Sequence, residues 1–440
     1  KEHLEDILTH GERVDGSSLF SFIEAGSSDL YVVPRYKTAF LNPFTDIPAL
    51  EILCSFYNSE GKPLESAPEQ ILRKAHNQFK ESTGYTFKAL GELEYYVNSE
   101  KDDLFPAVDQ KGYHASRPFA KFEELRTEAL RLVAKAGCNV KYGHSEVGNF
   151  SSETEMFEQH EIEFNPMEVE DAVDQMIITK WILRMLAKEW GIEISFAPKI
   201  TVGKAGSGLH IHMMLERKGK NIMTCAHGLS DIAKKMIAGI LDTADALTAF
   251  GNTIPTSYLR LVPHQEAPTN ICWGDRNRSA LIRVPLGWNM EHNMIKDANP
   301  KDYDVEEKGD SKQTVEFRAP DGSADLYHLV AGLVVATKHG LEMDNSLELA
   351  DKLYVDVNIF DEEHKDKLAQ LDKLPASCYD SAEKLEARRE IFEKNGVFPK
   401  GTINSFIRKL KSYDDKDLSE RLYGKEEEIR ELVLKYIHTM

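Results

Sequence analysis

The decapeptide GKAGSGLHIH, residues 203–212, constrains the fold more than any other stretch of this chain. From Leu209 onward apolar and polar residues alternate, and Met213, Met214 and Leu215 extend the run, the pattern of a β-strand with one face in a core. Successive strand side chains take opposite faces, so His210 and His212 share one face while Leu209 and Ile211 share the other. The fold must therefore contain a sheet with an apolar layer behind it and two imidazoles in front. The glycines ahead of the strand leave two readings open: a close approach of backbone to a ligand, or a bulge before a half-buried strand. As a phosphate cradle the stretch is weak, because it lacks the GK[ST] ending of a P-loop and the GxGxxG spacing.

Other segments supply the rest of the architecture. Residues 66–84 predict a helix with Ser66 as its cap, Pro68 in the first turn and Gly84 past its end. FKALGELEYYV predicts a strand over 87–97, and residues 118–136 a helix opened at Pro118 and stopped by Gly137. The clearest helical pattern covers 166–190, where Val173, Ile177, Trp181 and Met185 recur every four residues. IEISFAPKITV (192–202) is expected as a strand, helices are expected near 228–249 and 325–342, and the chain from about 345 onward is charged, amphipathic and helical. Up to about residue 58, short apolar runs broken by Gly, Pro, Asn and Ser predict a small mixed domain of strands and turns. Strands and helices alternate without a clean βαβ repeat, which argues for α+β over a doubly wound sheet.

With 440 residues the chain can bury a large core, but its formal net charge of -19 repels phosphate backbones and anionic membrane surfaces. Nucleic acid and membrane are excluded as partners on that ground, and a polyanionic ligand such as ATP needs cations gathered locally. Cysteines 54, 138, 225, 272 and 378 are odd in number and form no CxxC, which argues against a disulfide framework and for a reducing compartment. No apolar run approaches the roughly 18 residues of a membrane span, and the first residues lack a signal-peptide layout, so a cytoplasmic location is expected. Residue 1 is Lys, so a segment ahead of it is not visible here.

The chemistry-bearing residues fall into two constellations. GELEYYV places Glu92 and Glu94 on one strand face, HSEV contributes Glu146, EQHEIEF contributes Glu161 and Glu163, and TVEFRAPDG contributes Glu316 beside Arg318. With the two histidines these carboxylates could hold two divalent cations of the magnesium or manganese class. An isolated ExE is more often a solvent-facing edge. YLRLVPHQEAPTNICWGDRNRSALIRVP carries Arg260, Arg276, Arg278 and Arg283 with Glu266, and arginine forks match carboxylate and phosphate oxygens. Structural salt bridges would leave the same trace.

VDGSSLFSFIEAGSSDL, GELEYYV, HSEV with QHEIEF, PKITVGKAGSGLHIH, the arginine segment and TVEFRAPDGSADLY occur in the order found in glutamine synthetases, so the chain resembles that family, in its bacterial and archaeal type I form, from residue 14 to 327. The resemblance implies a small β-grasp-like domain over 1–64 and a large catalytic domain over 65–440 with a curved antiparallel sheet. It implies a ligase that makes glutamine from glutamate and ammonia with ATP, through γ-glutamyl phosphate and two or more Mg2+ or Mn2+ ions. Glu94, Glu146 and Glu161 resemble the ligands of the metal beside the amino acid, and Glu92, His210 and Glu316 those of the metal at the nucleotide phosphates. Asp15 resembles the aspartate that deprotonates ammonium, with Asp29 its partner, and Glu266 the loop acid that closes over the intermediate. Gly206, His210, Arg260 and Arg318 match substrate-binding positions; His212, Arg278 and Arg283 match the ATP side. Hexameric rings, possibly stacked into a dodecamer, are implied too, with Asp15 supplied by a neighbouring subunit.

The chain also departs from the family pattern. Ala205 stands where an asparagine is usual, Thr314 replaces an arginine with Lys312 nearby, and Lys199-Ile200 replaces lysine-proline. The connection from Glu146 to Glu161 is long, which leaves Glu163 as the other candidate ligand, and the adenylylation loop has no counterpart. Two further functions are therefore weighed beside glutamine synthesis: a γ-glutamylamide synthetase using an organic amine, and a non-catalytic structural relative.

Overall fold

The computed structural model describes residues 2–20, 23, 28–226, 228–262, 267–287, 292–301, 311–359, 362–364, 368–422 and 424–439. Helix α1 (Glu2–His10) comes first, an element absent from the sequence reading although Leu4, Ile7 and Leu8 carry its helical spacing. Strands β1 (Glu12–Asp15), β2 (Asp29–Pro34) and β3 (Cys54–Tyr57) follow and form an antiparallel sheet in the order β1-β2-β3. Between β1 and β2 lies a single helical turn, Gly16–Leu19, capped by Asp15.

The larger part begins with α2 (Pro68–Thr83), closed by Gly84 at φ 70. The cap position falls on Ala67, which has no side chain to give, so the cap expected at Ser66 is corrected. Strand β4 (Thr86–Glu100) crosses the molecule, and α3 (Glu123–Lys135) follows. That helix starts five residues after Pro118, because the Glu158 carboxylate takes the backbone N–H groups of Lys121 and Phe122 at 2.8 and 3.1 Å and holds them out of a first turn. A hairpin, β5 (Val140–Ser151) and β6 (Glu155–Phe164), leads to α4 (Val169–Trp190). α4 begins at 169 rather than 166 because Met167 and Glu168 pair with Ala89 and Lys88 on β4.

Only Glu193–Ser195 of the expected 192–202 strand pairs in the sheet; a loop then leads to β7 (Leu209–Arg217). The helix expected near 228–249 is two, α5 (Asp231–Asp242) and α6 (Ala244–Gly251), broken at Thr243. Strands β8 (Trp273–Asp275), β9 (Ile282–Val284) and β10 (Val315–Phe317) complete the sheet, and α7 (Leu326–Glu342), α8 (Cys378–Glu393) and α9 (Lys400–Lys411) pack with the earlier helices.

The main path of the sheet runs β8-β9-β10-β7-β4-β6-β5. Every neighbouring pair along it is antiparallel except β8 with β9, so the expected antiparallel sheet carries one parallel pair at its edge. Leu93, Tyr95 and Val97 on β4 and Leu209 and Ile211 on β7 are fully buried in one core with residues of α2, α4 and α7. The chain is α+β, with a small sheet domain ahead of a large one.

Arg35, just past β2, fastens the small domain to the large one. Its guanidinium reaches Asp174 Oδ2 and the Tyr327 hydroxyl, each at 2.7 Å, and that hydroxyl donates to Asp174 Oδ1 at 2.5 Å. Arg35 and Asp174 are both largely buried, so removing one partner strands the other's charge. Arg35→Ala should lower unfolding free energy by about 3–5 kcal/mol, and Arg35→Met with Asp174→Leu should restore much of it, as read by urea denaturation of the assembled protein.

Candidate active site

Register decides what faces the cavity. β6 sets Glu161 opposite Glu94 and Glu163 opposite Glu92, and β7 sets His210 opposite Glu92. β10 places Glu316 opposite His212, β9 places Arg283 opposite Glu316, and β5 places His144 opposite Glu161. Residues directly opposed across antiparallel strands point to the same side. Six segments distant in sequence thus deliver their acids and imidazoles to one face. All of them except His212, which stands behind Glu92 and Glu316, line a cavity of about 240 Å3 together with Gly206, Lys199, Arg260, Arg278 and Arg318. The long link between Glu146 and Glu161 proves to be an extended β5–β6 hairpin that brings Glu161 back into the sheet.

Among the described residues the donor atoms converge as four overlapping groups. Glu92, His210 and Glu316 offer atoms all within 4.8 Å of one another, as do Glu94, Glu161 and His210. His144, Glu146 and Glu161 form another such set, and Glu92, Glu161 and Glu163 a fourth. His210 Nδ1 lies 3.2 Å from Glu92 Oε2 and 3.4 Å from Glu316 Oε1. Glu94 is oriented by Gly208 N–H at 2.7 Å and by the Gln159 side-chain amide at 3.0 Å. Burial pushes the Glu161 carboxyl well above the usual range, and the neighbouring carboxylates of Glu92, Glu94, Glu146 and Glu163 push the same way. Burial also works to raise Glu92, but His212 and His210 beside it hold it well below the ordinary value.

His212 stands on the same wall. Its Nδ1 meets Thr314 Oγ1 at 2.9 Å, while the buried Nε2 lies 2.9 Å from Glu92 Oε1 outside hydrogen-bonding geometry. Burial alone lowers His212, yet Glu92 and Glu316 more than reverse it and its pKa is raised. Thr314, in the place of a familial arginine, is therefore a hydrogen-bond partner of the imidazole.

Cations rim the acids. Arg283 Nη1 contacts Glu316 Oε2 at 3.0 Å and Arg318 Nε contacts Glu316 Oε1 at 3.1 Å. Arg318 also bonds the carbonyl of Arg278. Arg260, buried, donates to Ala319 O at 2.8 Å and Arg318 O at 3.3 Å. Lys199 is buried with its Nζ on Lys204 O at 2.6 Å. Arg276 is exposed and is not among the residues lining the cavity.

Two of the three glycines of GKAGSGLHIH answer to these neighbours, while Gly203 takes a positive φ of 84°. A Cβ on Gly208 would come 2.5 Å from Arg260 Nη2 and 2.8 Å from His210 Nε2, and one on Gly206 would come 2.5 Å from Pro198 O. Both positions need a bare backbone. Ala205 between them and the loop is buried, its N–H on Gln110 Oε1 and its carbonyl on the Tyr96 hydroxyl, each at 2.8 Å.

Two expected site residues lie elsewhere in this chain. Asp15 and Asp29 face each other across β1 and β2, both exposed and neither lining the cavity. Asp15 accepts from Ser17 N–H at 3.0 Å, Ser17 Oγ at 2.7 Å and Ser18 Oγ at 2.6 Å, and these serines hold its carboxyl far below the usual carboxylate range. Glu266 lies outside the described residues. His144 and Gln159 were missed by the sequence reading. His144 stands two residues before Glu146, the same spacing that exposed Glu92 with Glu94.

Family comparison follows this geometry closely. The family model described as glutamine synthetase, catalytic domain, matches residues 65–428, and that of the glutamine synthetase beta-Grasp domain matches residues 1–59. The chain belongs to the glutamine synthetase family. The glutamine synthetase of Methanococcus voltae is 30% identical over 421 residues, covering 94% of this chain and 86% of that one. That of Pyrococcus furiosus is 31% identical over 412 residues, covering 93% and 85%. Among solved structures, Plasmodium falciparum glutamine synthetase superposes with a TM-score of 0.75 at 21% identity over 95% of this chain and 90% of that one. A structure titled "Apo GmaS without ligand" gives 0.74 at 18% identity over 98% and 91%. The chain is a glutamine-synthetase-type, ATP-dependent ligase, and its acid and imidazole groups could hold metal ions.

Gly208→Ala tests the close approach. Displacing Arg260 or His210 by about an ångström should cost on the order of 100-fold in kcat/KM, with the circular dichroism spectrum unchanged; an active Gly208→Ala enzyme would show that the glycine serves only the turn.

Proposed function

We propose that the chain condenses glutamate with ammonia at the expense of ATP. The observation that carries this reading is the gathering of Glu92, Glu94, Glu146, Glu161, His210 and Glu316 on one wall with Arg260, Arg278, Arg283 and Arg318 around it. The donor set fits divalent ions: it is rich in carboxylate oxygen, contains imidazole, raises the Glu161 carboxyl by mutual repulsion, and leaves the buried His212 Nε2 without a hydrogen bond. Glu94, Glu146 and Glu161 would hold one Mg2+ or Mn2+, and Glu92, His210 and Glu316 another. Bound there, the ions supply charge neutralisation for phosphoryl transfer.

The protein's own groups then divide the work. Arg260, Arg318 and the bare backbone at Gly206 hold glutamate, so that a γ-carboxylate oxygen attacks the γ-phosphorus of ATP and ADP leaves. His212, Arg278 and Arg283 face the nucleotide phosphates. Ammonia next attacks the acyl carbon of γ-glutamyl phosphate and inorganic phosphate departs. Before that attack ammonium must lose a proton, and Asp15, with Asp29 opposite it, is the candidate acceptor; the hydrogen bonds of Ser17 and Ser18 keep it an anion that binds ammonium and make it a weak base in the single chain. Glu266 closes the site against water.

Asp15 and Asp29 are exposed and do not line their own chain's cavity, which supports a ring of six subunits, or two stacked rings, in which each cavity takes these acids from a neighbour. Residues 1–64 then form the β-grasp-like unit and 65–440 the catalytic unit. Five free cysteines support a cytoplasmic setting. Among the described residues no helix is long and apolar enough to cross a membrane.

Ala205 favours one alternative. It removes an amide from the substrate side and leaves an apolar methyl whose backbone is already bonded, which would tolerate an organic amine or an altered acid as substrate. ADP release with ATP and Mg2+ decides between the two. Turnover that needs both glutamate and ammonium supports glutamine synthesis, turnover with amines but not ammonium supports a γ-glutamylamide ligase, and silence with every substrate would leave a non-catalytic relative.

Asp15→Asn isolates the charge, since asparagine still caps the turn that follows. It should raise KM for ammonium about tenfold or more with KM for ATP unchanged, a loss in the range of general-base contributions; an unaltered ammonium response would remove Asp15 from the reaction.

A further inference from the structure

His144 carries no role in the proposal above, yet its surroundings are built with care. Its Nδ1 lies 3.0 Å from the Ser145 carbonyl, which can only accept, so Nδ1 donates there and Nε2 is left to face the cavity. That Nε2 points into the acids: 3.0 Å from Glu161 Oε1 and 4.0 Å from Glu163 Oε1. The side chain is more than nine-tenths buried. Nε2 and Glu161 Oε1 stand at hydrogen-bonding distance, a contact that a proton or a shared cation satisfies, and His144, Glu146 and Glu161 offer ligand atoms all within 4.8 Å of one another.

The ring cannot swing away. It stacks on His114 with centroids 4.5 Å apart and planes 11° from parallel, and on Tyr142 at 5.4 Å and 28°, while Tyr113 meets it edge-on at 5.4 Å. His114 is itself placed by a strap laid along β5, whose Gln110, Gly112 and His114 N–H groups bond the carbonyls of Asn149, Val147 and Ser145 at 2.9, 3.2 and 2.9 Å. Ser145 O therefore accepts from both the strap and the imidazole. A carbonyl on the far nitrogen and a ring fixed in rotation form the outer shell expected behind a metal-binding histidine.

We infer that His144 Nε2, with Glu146 and Glu161, is a direct ligand of the metal ion nearest the amino-acid substrate, and that this nitrogen biases that site toward Mn2+ and related transition ions over Mg2+. The inference rests on the metal reading of the cavity but not on which amine the enzyme uses. The chemistry follows from the donor: an imidazole adds affinity along the Mn2+ to Zn2+ series, whereas Mg2+ prefers oxygen and gains little from it. Glu146 and Glu161 remain when His144 is removed, so the site survives with its selectivity changed.

Titration of the metal-free, full-length protein with Mn2+ and with Mg2+ by calorimetry tests this without any turnover. In His144→Asn the Mn2+ affinity of one site should fall about tenfold or more and the Mg2+ affinity by less than about threefold. An equal loss for both ions, or no loss, would overturn the assignment. A second measurement covers a variant that folds poorly: pulsed electron paramagnetic resonance of Mn2+ bound to His210→Asn/His212→Asn protein should still show nitrogen coupling from one imidazole. Absence of that coupling would place His144 outside the coordination sphere. A protein inactive with every amine but showing both signatures would refute the ligase reading while sustaining this one.

Discussion

Like charges face each other across the centre of this sheet: Glu94 lies opposite Glu161, and Glu92 opposite Glu163. In a cavity shielded from water, two such charges 4 Å apart repel by about 4 kcal/mol at an effective dielectric of 20, so the arrangement needs compensation at every step. Among the described residues six glutamates (92, 94, 146, 161, 163 and 316) line the cavity against five cationic side chains: Lys199, Arg260, Arg278, Arg283 and Arg318. The cations are not interleaved with the acids. Arg283 and Arg318 both attend Glu316, whereas the Glu94 and Glu161 end receives a neutral amide, a backbone N–H and imidazoles. Negative potential therefore accumulates where the strands β4, β5 and β6 meet, and the raised carboxyl of Glu161 is its local expression.

The remainder of the fold holds that unfavourable gathering in place. Behind the acids, β4 buries Leu93, Tyr95 and Val97 against helices, and each such side chain stabilises by roughly 1.5–3 kcal/mol. In front, the alternation of the strand compels the intervening residues to face the cavity. A register slip of one residue would send the glutamates into the apolar layer and the aromatics into the cavity, so packing on one side enforces the chemistry on the other. Arg35 extends the same logic to the domain junction, where a buried charge is tolerated because Asp174 and Tyr327 satisfy it together.

Much of the site was legible because strand alternation is a local signal. Glu92 with Glu94 and His210 with His212 each announced a shared face, and the structure puts both pairs on one wall. His144 with Glu146 carries an identical spacing, but the short GHSEV run is interrupted by a glycine and gives no strand pattern by itself; only its pairing with β6 reveals the face. Glu161 and Glu163 could not be separated by sequence, since both project the same way, and both line the cavity, Glu161 within candidate donor sets with His144 and Glu94 and Glu163 within one with Glu92. Errors in the elements have tertiary causes too: Glu158 delays α3, pairing of Met167 and Glu168 delays α4, and the loop after Ser195 leaves the sheet to carry Lys199 into the cavity. Asp15 shows the opposite limit. Its sequence signature names a reaction, but within one chain its geometry is that of a helix cap with an acid opposite.

That contrast points to an order of events. A chain of formal charge -19 whose cavity is acidic at its narrow end attracts cations before it attracts a polyphosphate. ATP approaching without metal would meet Glu92 and Glu316 as well as Arg278 and Arg283, and only the arginines would favour it. On the proposed reading, divalent ions neutralising the acids would let the same arginines act without opposition. Nucleotide affinity should therefore depend on metal more steeply than one bound magnesium per ATP requires. The exposed Asp15 and Asp29 pair, outside that cavity in its own chain, keeps a negative charge of its own.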